Sequence, residues 1–583
     1  MRYLRMLSNS IAAGCLATAY VLTLVLQLNP ALPLDQARLA PLATTVGLFY
    51  TVHFAVICYA LLVARQLAAR EVFSPAWLSV GVLLWLGALA AAGGSALMWA
   101  NLYTFARVLD ADTVTAMTRG AGALILASIA FMLVAWVRRA FGREARWFCA
   151  CALMLIAGVS IAVPLTLRGP GKIQPLEARS LSIATDFTLP GRGSRVNLIA
   201  IDGASLDFIV RATAEGRLPN FGRVLDSGAV MRLATIHPTS AEAVWAAALT
   251  GKLPLNNGVR SAGIYHLASG GAALQLLPNH CFAYQLVRFG FLVDEPHTSA
   301  TLRTRALWNI LSTYGFSVGA VGWPLTQPAP AVRGYVVSDT YLRLVGTPSG
   351  VVDSPAVYPS DLQEDVAQAI ENLLAETPPI VLASTAPLED RHVSAGRTDR
   401  TYDRIARELA ELRQPQVTLT RYQSLDPIGH YFLRYAMPSE FGDALDDEHR
   451  ALGEVLERHY KLIDDAIGRA IAALGPDDVM LVVSGFGMEP MGLWKRLVEG
   501  VIGDPDLNGT HDAAPDGFVM AYGASVARGR LPTRASVVDV TPTILYFLGL
   551  PIGRDMDGYA RTDLFQRAFT DERPITFIPT YDR

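Results

Sequence analysis

Val417–Tyr431 reads VTLTRYQSLDPIGHY. The run Val417–Thr420 has the β-branched and apolar character of a strand. Asp426 and His430 follow, four residues apart. A carboxylate and an imidazole leaving a strand together are natural ligands for one zinc-like ion. Taken alone, the same pair fits a turn carboxylate and a surface histidine. The flanking sequence separates the two.

Around this stretch, strand-like runs alternate with helical ones. The strands are expected at Val196–Ile201, Val318–Val321, Val336–Ser338, Val417–Tyr422, Val479–Val483 and Phe518–Tyr522. Helices are expected at Leu302–Tyr314, Ser360–Glu376, Asp446–Leu474 and Val537–Leu548. This alternation predicts an α/β domain over 196–583, with a mainly parallel sheet sandwiched by helices. In such sheets ligands bind outside the carboxyl ends of the strands.

The chain of 583 residues exceeds one ordinary domain. Hydrophobic residues are 51% and charged residues only 17%, which is too apolar for an average soluble protein. Five apolar runs explain the excess: Asn9–Leu28, Thr44–Ala64, Ala76–Trp99, Ala121–Val137 and Trp147–Leu167. Each approaches the roughly 20 residues that cross a bilayer as a helix. A cleaved signal peptide would explain the first run, but not the other four. Residues 1–167 are therefore expected to form a membrane domain of five transmembrane helices, and the Gly- and Pro-rich residues 168–195 a linker. Arg2, Arg5, Arg65, Arg70 and the Arg138, Arg139, Arg143, Arg146 loop place the N-terminus in the cytoplasm by the positive-inside rule. Five spans then put the α/β domain outside it, in the periplasm or extracellular space. The net charge of −3, without a basic stripe, gives no nucleic-acid partner. Only Cys281 lies beyond the apolar part, so no internal disulfide staples that domain.

Further candidates lie along the α/β domain. Asp202 ends the apolar strand and Gly203 allows a tight turn, although an Asp here also caps helices. In His237–Glu242 (HPTSAE), Thr239 or Ser240 is a hydroxyl nucleophile at a helix start, or Thr239 and Glu242 form a capping box. His511, in Gly509–His511, is a third ligand beside Asp426 and His430. Those three would leave the open position that a catalytic zinc requires.

The order of these pieces resembles the type I phosphodiesterase/nucleotide pyrophosphatase family of the alkaline phosphatase superfamily. The resemblance runs from Val196 to about Leu564. Its stretches include LIAIDG at 198–203, LPNFGRVLDSGAV at 218–230, WAAALTGKLPLNNGV at 245–259, LDPIGHYFLRY at 425–435, VMLVVSGFGM at 479–488, GTHDAAPDGFVMAYG at 509–523 and VVDVTPTILYFLGLPIGRDMDG at 537–558. It implies an alkaline-phosphatase-like fold and a site of two metal ions, usually zinc, with a Thr or Ser attacking phosphorus. One metal would take Asp426, His430 and His511. The second would take Asp202, the nucleophile and the Asp-His of a Ser-Asp-His-Gly motif. That motif reads Ser484-Gly485-Phe486-Gly487 here, and the nucleophile position falls on Ala241. Glu242, Glu489 and His237 are the residues that could replace missing ligands.

The resemblance therefore implies a membrane-anchored, metal-dependent hydrolase of phosphate esters with one zinc or other divalent ion per chain. Asp202 is expected to bind metal, orient water or act as base. Expected partners are the lipid bilayer and a phosphate-ester substrate, an envelope lipid, glycan or nucleotide, with no obligate protein partner. Two alternatives remain: a non-catalytic binder of a phosphate ligand or protein, and a phospho-headgroup transferase using Thr239 or Ser240.

Overall fold

The computed structural model describes residues 1–69, 73–142, 144–171, 193–271, 273–345, 355–376, 387–437, 446–512 and 514–582. Most of the linker, with Arg70, Arg143, Lys172 and Arg179, lies outside the described residues. The chain folds as two compact units: Met1–Glu177 with Gly263–Pro296, and Ala178–Ala262 with His297–Arg583. Gly263–Pro296, which the sequence placed inside the 196–583 domain, thus belongs by its contacts to the helical unit.

Five helices build the first unit: Arg2–Leu28, Gln36–Ala68, Val80–Phe105, Ala111–Phe141 and Arg146–Arg168. All are long and apolar enough to cross a membrane. Small residues let them approach. A Cβ on Gly14 would sit 3.0 Å from Thr51 O. Ser95 and Ser128 donate across helices to Ala121 O and Ala88 O, each at 2.9 Å. Such small-residue and hydroxyl contacts hold helices together where lipid removes the hydrophobic drive. Leu48, Val52, Val56, Leu126 and Leu155 face outward instead.

The second unit is organised on a nine-stranded sheet. Its order is Gly529–Ser536, Ala229–Ala234, Asp516–Tyr522, Val479–Phe486, Val196–Ile201, Val417–Tyr422, Val318–Trp323, Gly334–Ser338 and Val357–Tyr358. Val479–Phe486 through Gly334–Ser338 form one parallel block. Asp516–Tyr522 and Val357–Tyr358 add antiparallel pairings outside it. The strands of the block are nearly continuous apolar runs because both sheet faces are covered. On one face Ile199, Ile201, Met480, Val482 and Phe518 meet Phe208, Phe221, Phe432 and Ile463. On the other, Leu481, Val483 and Val519 line a small cavity together with Val540 and Thr543 of the helix Val540–Phe547. The strands Ala229–Ala234, Val357–Tyr358 and Gly529–Ser536 had no equivalent among the expected runs. Gly529–Ser536 exposes Arg530, Pro532, Thr533 and Arg534 to solvent, so its sequence lacks the apolar signal.

Asp464, buried in the long helix Asp446–Ala473, accepts the backbone N–H groups of Asn220 (3.2 Å) and Phe221 (2.7 Å). It supplies the cap that the helix Pro219–Ser227 lacks. Asp464→Ala is expected to lower unfolding free energy by about 2–4 kcal/mol, because the buried N–H of Phe221 and the part-buried N–H of Asn220 lose their acceptor. Denaturant titration of the purified protein checks this; an unchanged midpoint would reject that role.

Candidate metal centre

The residues after Tyr422 form a helix, Leu425–Ala436. This is why Asp426 and His430, one turn apart, share a face. Fully buried Asp399 holds the approach to that helix, accepting Gln423 N at 2.9 Å and Ser424 N at 3.0 Å. Burial pushes the Asp399 carboxyl up to about 6 against these bonds. Gly203 turns at φ 67°, and a Cβ there would lie 3.1 Å from Asp426 Cα. A Cβ on Gly509 would lie 2.3 Å from Gly429 O, so the segment bearing His511 runs directly against the helix.

His511 Nε2 lies 3.4 Å from Asp426 Oδ1, and His430 Nε2 3.7 Å from the same oxygen. The ligating atoms of all three residues lie within 4.8 Å of one another. Donors of a tetrahedral zinc at the usual bond lengths stand roughly 3.3 Å apart, which the two distances to Asp426 Oδ1 approach while the widest spacing would have to close. His430 Nδ1 meets Gly509 O at 2.9 Å, which assigns the proton to Nδ1 and turns the Nε2 lone pair to the centre. Asp426 Oδ1 and His511 Nδ1 are buried without a hydrogen-bond partner. An orphaned carboxylate oxygen beside two imidazoles is the donor set a divalent cation satisfies. Burial raises the Asp426 carboxyl, while His511 and His430 oppose the rise. Phe486 meets the His511 ring edge-on, with centroids 5.2 Å apart.

Asp202, expected as a metal ligand or base, is committed elsewhere. Arg421 Nη2 donates to Asp202 Oδ2 at 2.5 Å and Arg421 Nε to Oδ1 at 3.1 Å. Trp245 Nε1 donates to Oδ1 at 2.6 Å. Neither Arg421 nor Trp245 was among the expected site residues. A charge inside the otherwise apolar VTLTRY strand was the available signal, because a buried guanidinium must find a partner. Burial works against the Arg421 charge, but Asp202, Asp339 and Glu242 hold it above its ordinary range. Burial pushes Glu242 up to about 7, against a backbone hydrogen bond and Arg421. It pushes Asp339 up to about 6, again against Arg421.

The positions that the resemblance gives to a second metal are closed by packing. A Cβ on Gly485 would lie 2.3 Å from Val244 Cγ1, so no ligand side chain fits there without movement. Phe486 is fully buried. Ser484 Oγ donates to Phe486 O at 2.8 Å and accepts from Ala204 N at 3.2 Å. Ala241 begins the helix Ala241–Thr250. Its cap is Ser240, which accepts from Ala243 N at 3.4 Å, rather than the expected Thr239. Thr239 Oγ1 donates to Ile236 O at 2.9 Å. Both candidate nucleophiles thus serve the backbone. Glu489 pairs along the backbone with Thr510. Among the described residues, Glu242, Glu489, His237 and Asp202 do not join the three converging donors.

Arg421→Met is expected to destabilise the protein by about 3–5 kcal/mol, because it strands a buried carboxylate. Adding Asp202→Leu is expected to recover most of that loss in a double-mutant cycle. Strict additivity of the two changes would deny the coupling.

A model of the type I phosphodiesterase / nucleotide pyrophosphatase family matches residues 196–523, more than half of the chain. No curated protein matches it. Murine ectonucleotide pyrophosphatase / phosphodiesterase 5, as an inactive variant in complex with AMP, shares 11% identity over 64% of this chain and 100% of its own, with a TM-score of 0.37. A second structure of that murine protein has the same identity and coverage and a TM-score of 0.36. A mutant of alkaline phosphatase PafA shares 11% identity over 65% of this chain and 100% of its own, with a TM-score of 0.39.

Proposed function

We propose, from the premise that this chain belongs to the type I phosphodiesterase/nucleotide pyrophosphatase family, that it is a membrane-anchored, metal-dependent hydrolase of phosphate esters acting outside the cytoplasm. One observation carries the proposal: Asp426, His430 and His511 converge around a buried, unpartnered carboxylate oxygen. These three would hold one zinc or other divalent ion. When bound, such an ion polarises a phosphoryl oxygen and acidifies water. His430 is turned towards it by Gly509 O, and Asp426 is held by the helix start that Asp399 anchors.

The attacking group is water, because Ala241 has no hydroxyl and those of Thr239 and Ser240 are engaged. Glu242 is the residue proposed to take the water's proton. It stands at the second position of the helix Ala241–Thr250, where burial pushes its carboxyl up to about 7. Arg421, Asp202 and Asp339 face it. The arginine-rich loop at Arg138, Arg139 and Arg146 supports a cytoplasmic N-terminus, with the catalytic unit on the other side. A membrane anchor favours an envelope phosphodiester, of a lipid or glycan, as substrate. A transferase would need a covalent adduct on Thr239 or Ser240, whose hydroxyls are committed. A non-catalytic binder is favoured by one observation: Arg421 and Val244 close the second half of the site.

Elemental analysis of the purified protein is expected to find one divalent ion per chain, lost in His511→Ala and Asp426→Ala together with phosphodiesterase activity. Full metal occupancy without turnover across a broad panel of phosphodiesters and sulfate esters would establish the non-catalytic reading instead. The kcat/KM of the native protein is expected to rise with pH through about 7 as Glu242 loses its proton. Glu242→Gln is expected to flatten that limb and lower the rate about 10²–10⁴-fold. A limb that survives the substitution would assign the base elsewhere.

A further inference from the structure

The segment Gly263–Pro296 forms a three-stranded antiparallel sheet in the order Ala273–Leu274, Gly263–Leu267, Leu292–Pro296. Its inner face is already filled. Tyr265, Leu267, Leu274, Leu286 and Leu292 pack with Val21 and Val25 of the first long helix and with Leu42, Val46 and Phe49 of the second. Two asparagines at helix ends pin it. Asn29 Nδ2 donates to Leu276 O at 2.8 Å, while Asn29 Oδ1 accepts Gln275 N at 2.8 Å. Asn101 Nδ2 donates to Asn279 O at 3.0 Å and its Oδ1 accepts Asn279 N at 2.7 Å. Tyr50 donates to Cys281 O at 3.0 Å. These amides act like ladder partners and fix the height of the segment along the helices.

The outer face carries aromatic rings that this packing does not use. Phe282 is 54% exposed, Tyr284 61% and Phe289 64%. Phe282 is held at φ 56°, a backbone region costly for a bulky residue. The second helix shows the depth at which these rings lie. It has 33 residues, about 50 Å at 1.5 Å per residue, against about 30 Å of hydrocarbon. Counted back from Arg65, a bilayer-length span of about 20 residues ends near Val46. The Phe289 ring lies 6.3 Å from that of Phe49, which is inside this span. Leu48 and Val52, on either side of Phe49, are 62% and 55% exposed and form the outward apolar flank of the helix. Phe289 therefore continues an apolar surface that faces lipid.

We propose that Gly263–Pro296 is an interfacial lipid-binding element, whose Phe282, Tyr284 and Phe289 rings enter the bilayer at the headgroup–acyl boundary beside the second helix. Aromatic rings are favoured at that depth, and the exposed Arg288, Asp294 and Glu295 remain in the aqueous rim. The occupant is lipid, rather than a protein, because the patch is continuous with the outward flank of a membrane-length helix. The proposal rests on the reading of the five helices as membrane-spanning.

The test places the photoreactive residue p-benzoylphenylalanine, one site at a time, at Phe282, Tyr284 and Phe289 of the full chain in phosphatidylcholine–phosphatidylglycerol nanodiscs. Irradiation is followed by mass analysis of lipid adducts. Leu126, exposed on the fourth helix, is the membrane control, and Tyr559, exposed in the second unit, the aqueous one. Lipid adducts at the three ring positions matching those at Leu126, with none at Tyr559, support the proposal. Adducts at Leu126 alone overturn it and leave the membrane reading intact. No adducts at Leu126 overturn the membrane reading and this proposal with it. Hydroxyl-radical footprinting of the native chain gives a second measure. Tyr284 is expected to be protected relative to Tyr559, and equal modification would count against lipid burial.

Discussion

A guanidinium lies within the central sheet, and the candidate site is arranged around it. Arg421 occupies a parallel strand whose neighbour ends in Asp202, and Ala200 is its register partner. A buried cation there is tolerable only with compensating charge and hydrogen bonds. Asp202 supplies both, Trp245 completes the carboxylate's shell, and Asp339 and Glu242 share the field. Trp245 belongs to the helix Ala241–Thr250, so the same interaction ties that helix to the strand ends. Val244, its neighbour, then fills the space above Gly485.

The consequence is electrostatic as much as steric. The family resemblance places a second metal ion in this half of the site, with Asp202 among its ligands. Here a permanent cation already neutralises Asp202. A further divalent ion would meet a carboxylate with both oxygens engaged and a like charge beside it. The other half differs in kind. Its carboxylate oxygen, Asp426 Oδ1, is buried and without a hydrogen-bond partner. The two acids thus differ in burial and in partners, Asp202 being 1% exposed and Asp426 partly exposed. One is paired with a side chain of the same sheet, and the other has an oxygen without a hydrogen-bond partner.

Much of this was legible in the sequence wherever a local pattern carried it. The strand VTLT, the pair Asp426 and His430, and the apolar runs of the first unit are visible as periodicity and composition. The cap at Ser240 was read one residue early, because Thr239 and Glu242 have the right spacing and only the helix start decides between the two hydroxyls. Arg421 was passed over because its value lies in a partner 219 positions away. Gly263–Pro296 was read into the α/β domain because its strands are five residues or shorter and carry no membrane-length run. Its place is set by Asn29 and Asn101, reached across 247 and 178 positions. Tertiary pairing of this kind has no period that a window could detect.

The three absent features of the second half-site are better treated as one change than as three. A hydroxyl at position 241 needs a cation to lower its pKa and hold the alkoxide. Without ligands at 485 and 486 that cation has no seat. At position 485 the space is taken by Val244, and Phe486 is fully buried. The charge left on Asp202 then needs a permanent partner, which Arg421 provides. Each step removes the reason for the next group to persist. The three converging donors are all present, and the direct attack by water proposed above uses only an electrophilic centre and a base. Glu242, next to Ala241, has its carboxyl pushed up to about 7 by burial and is the base in the function proposed above.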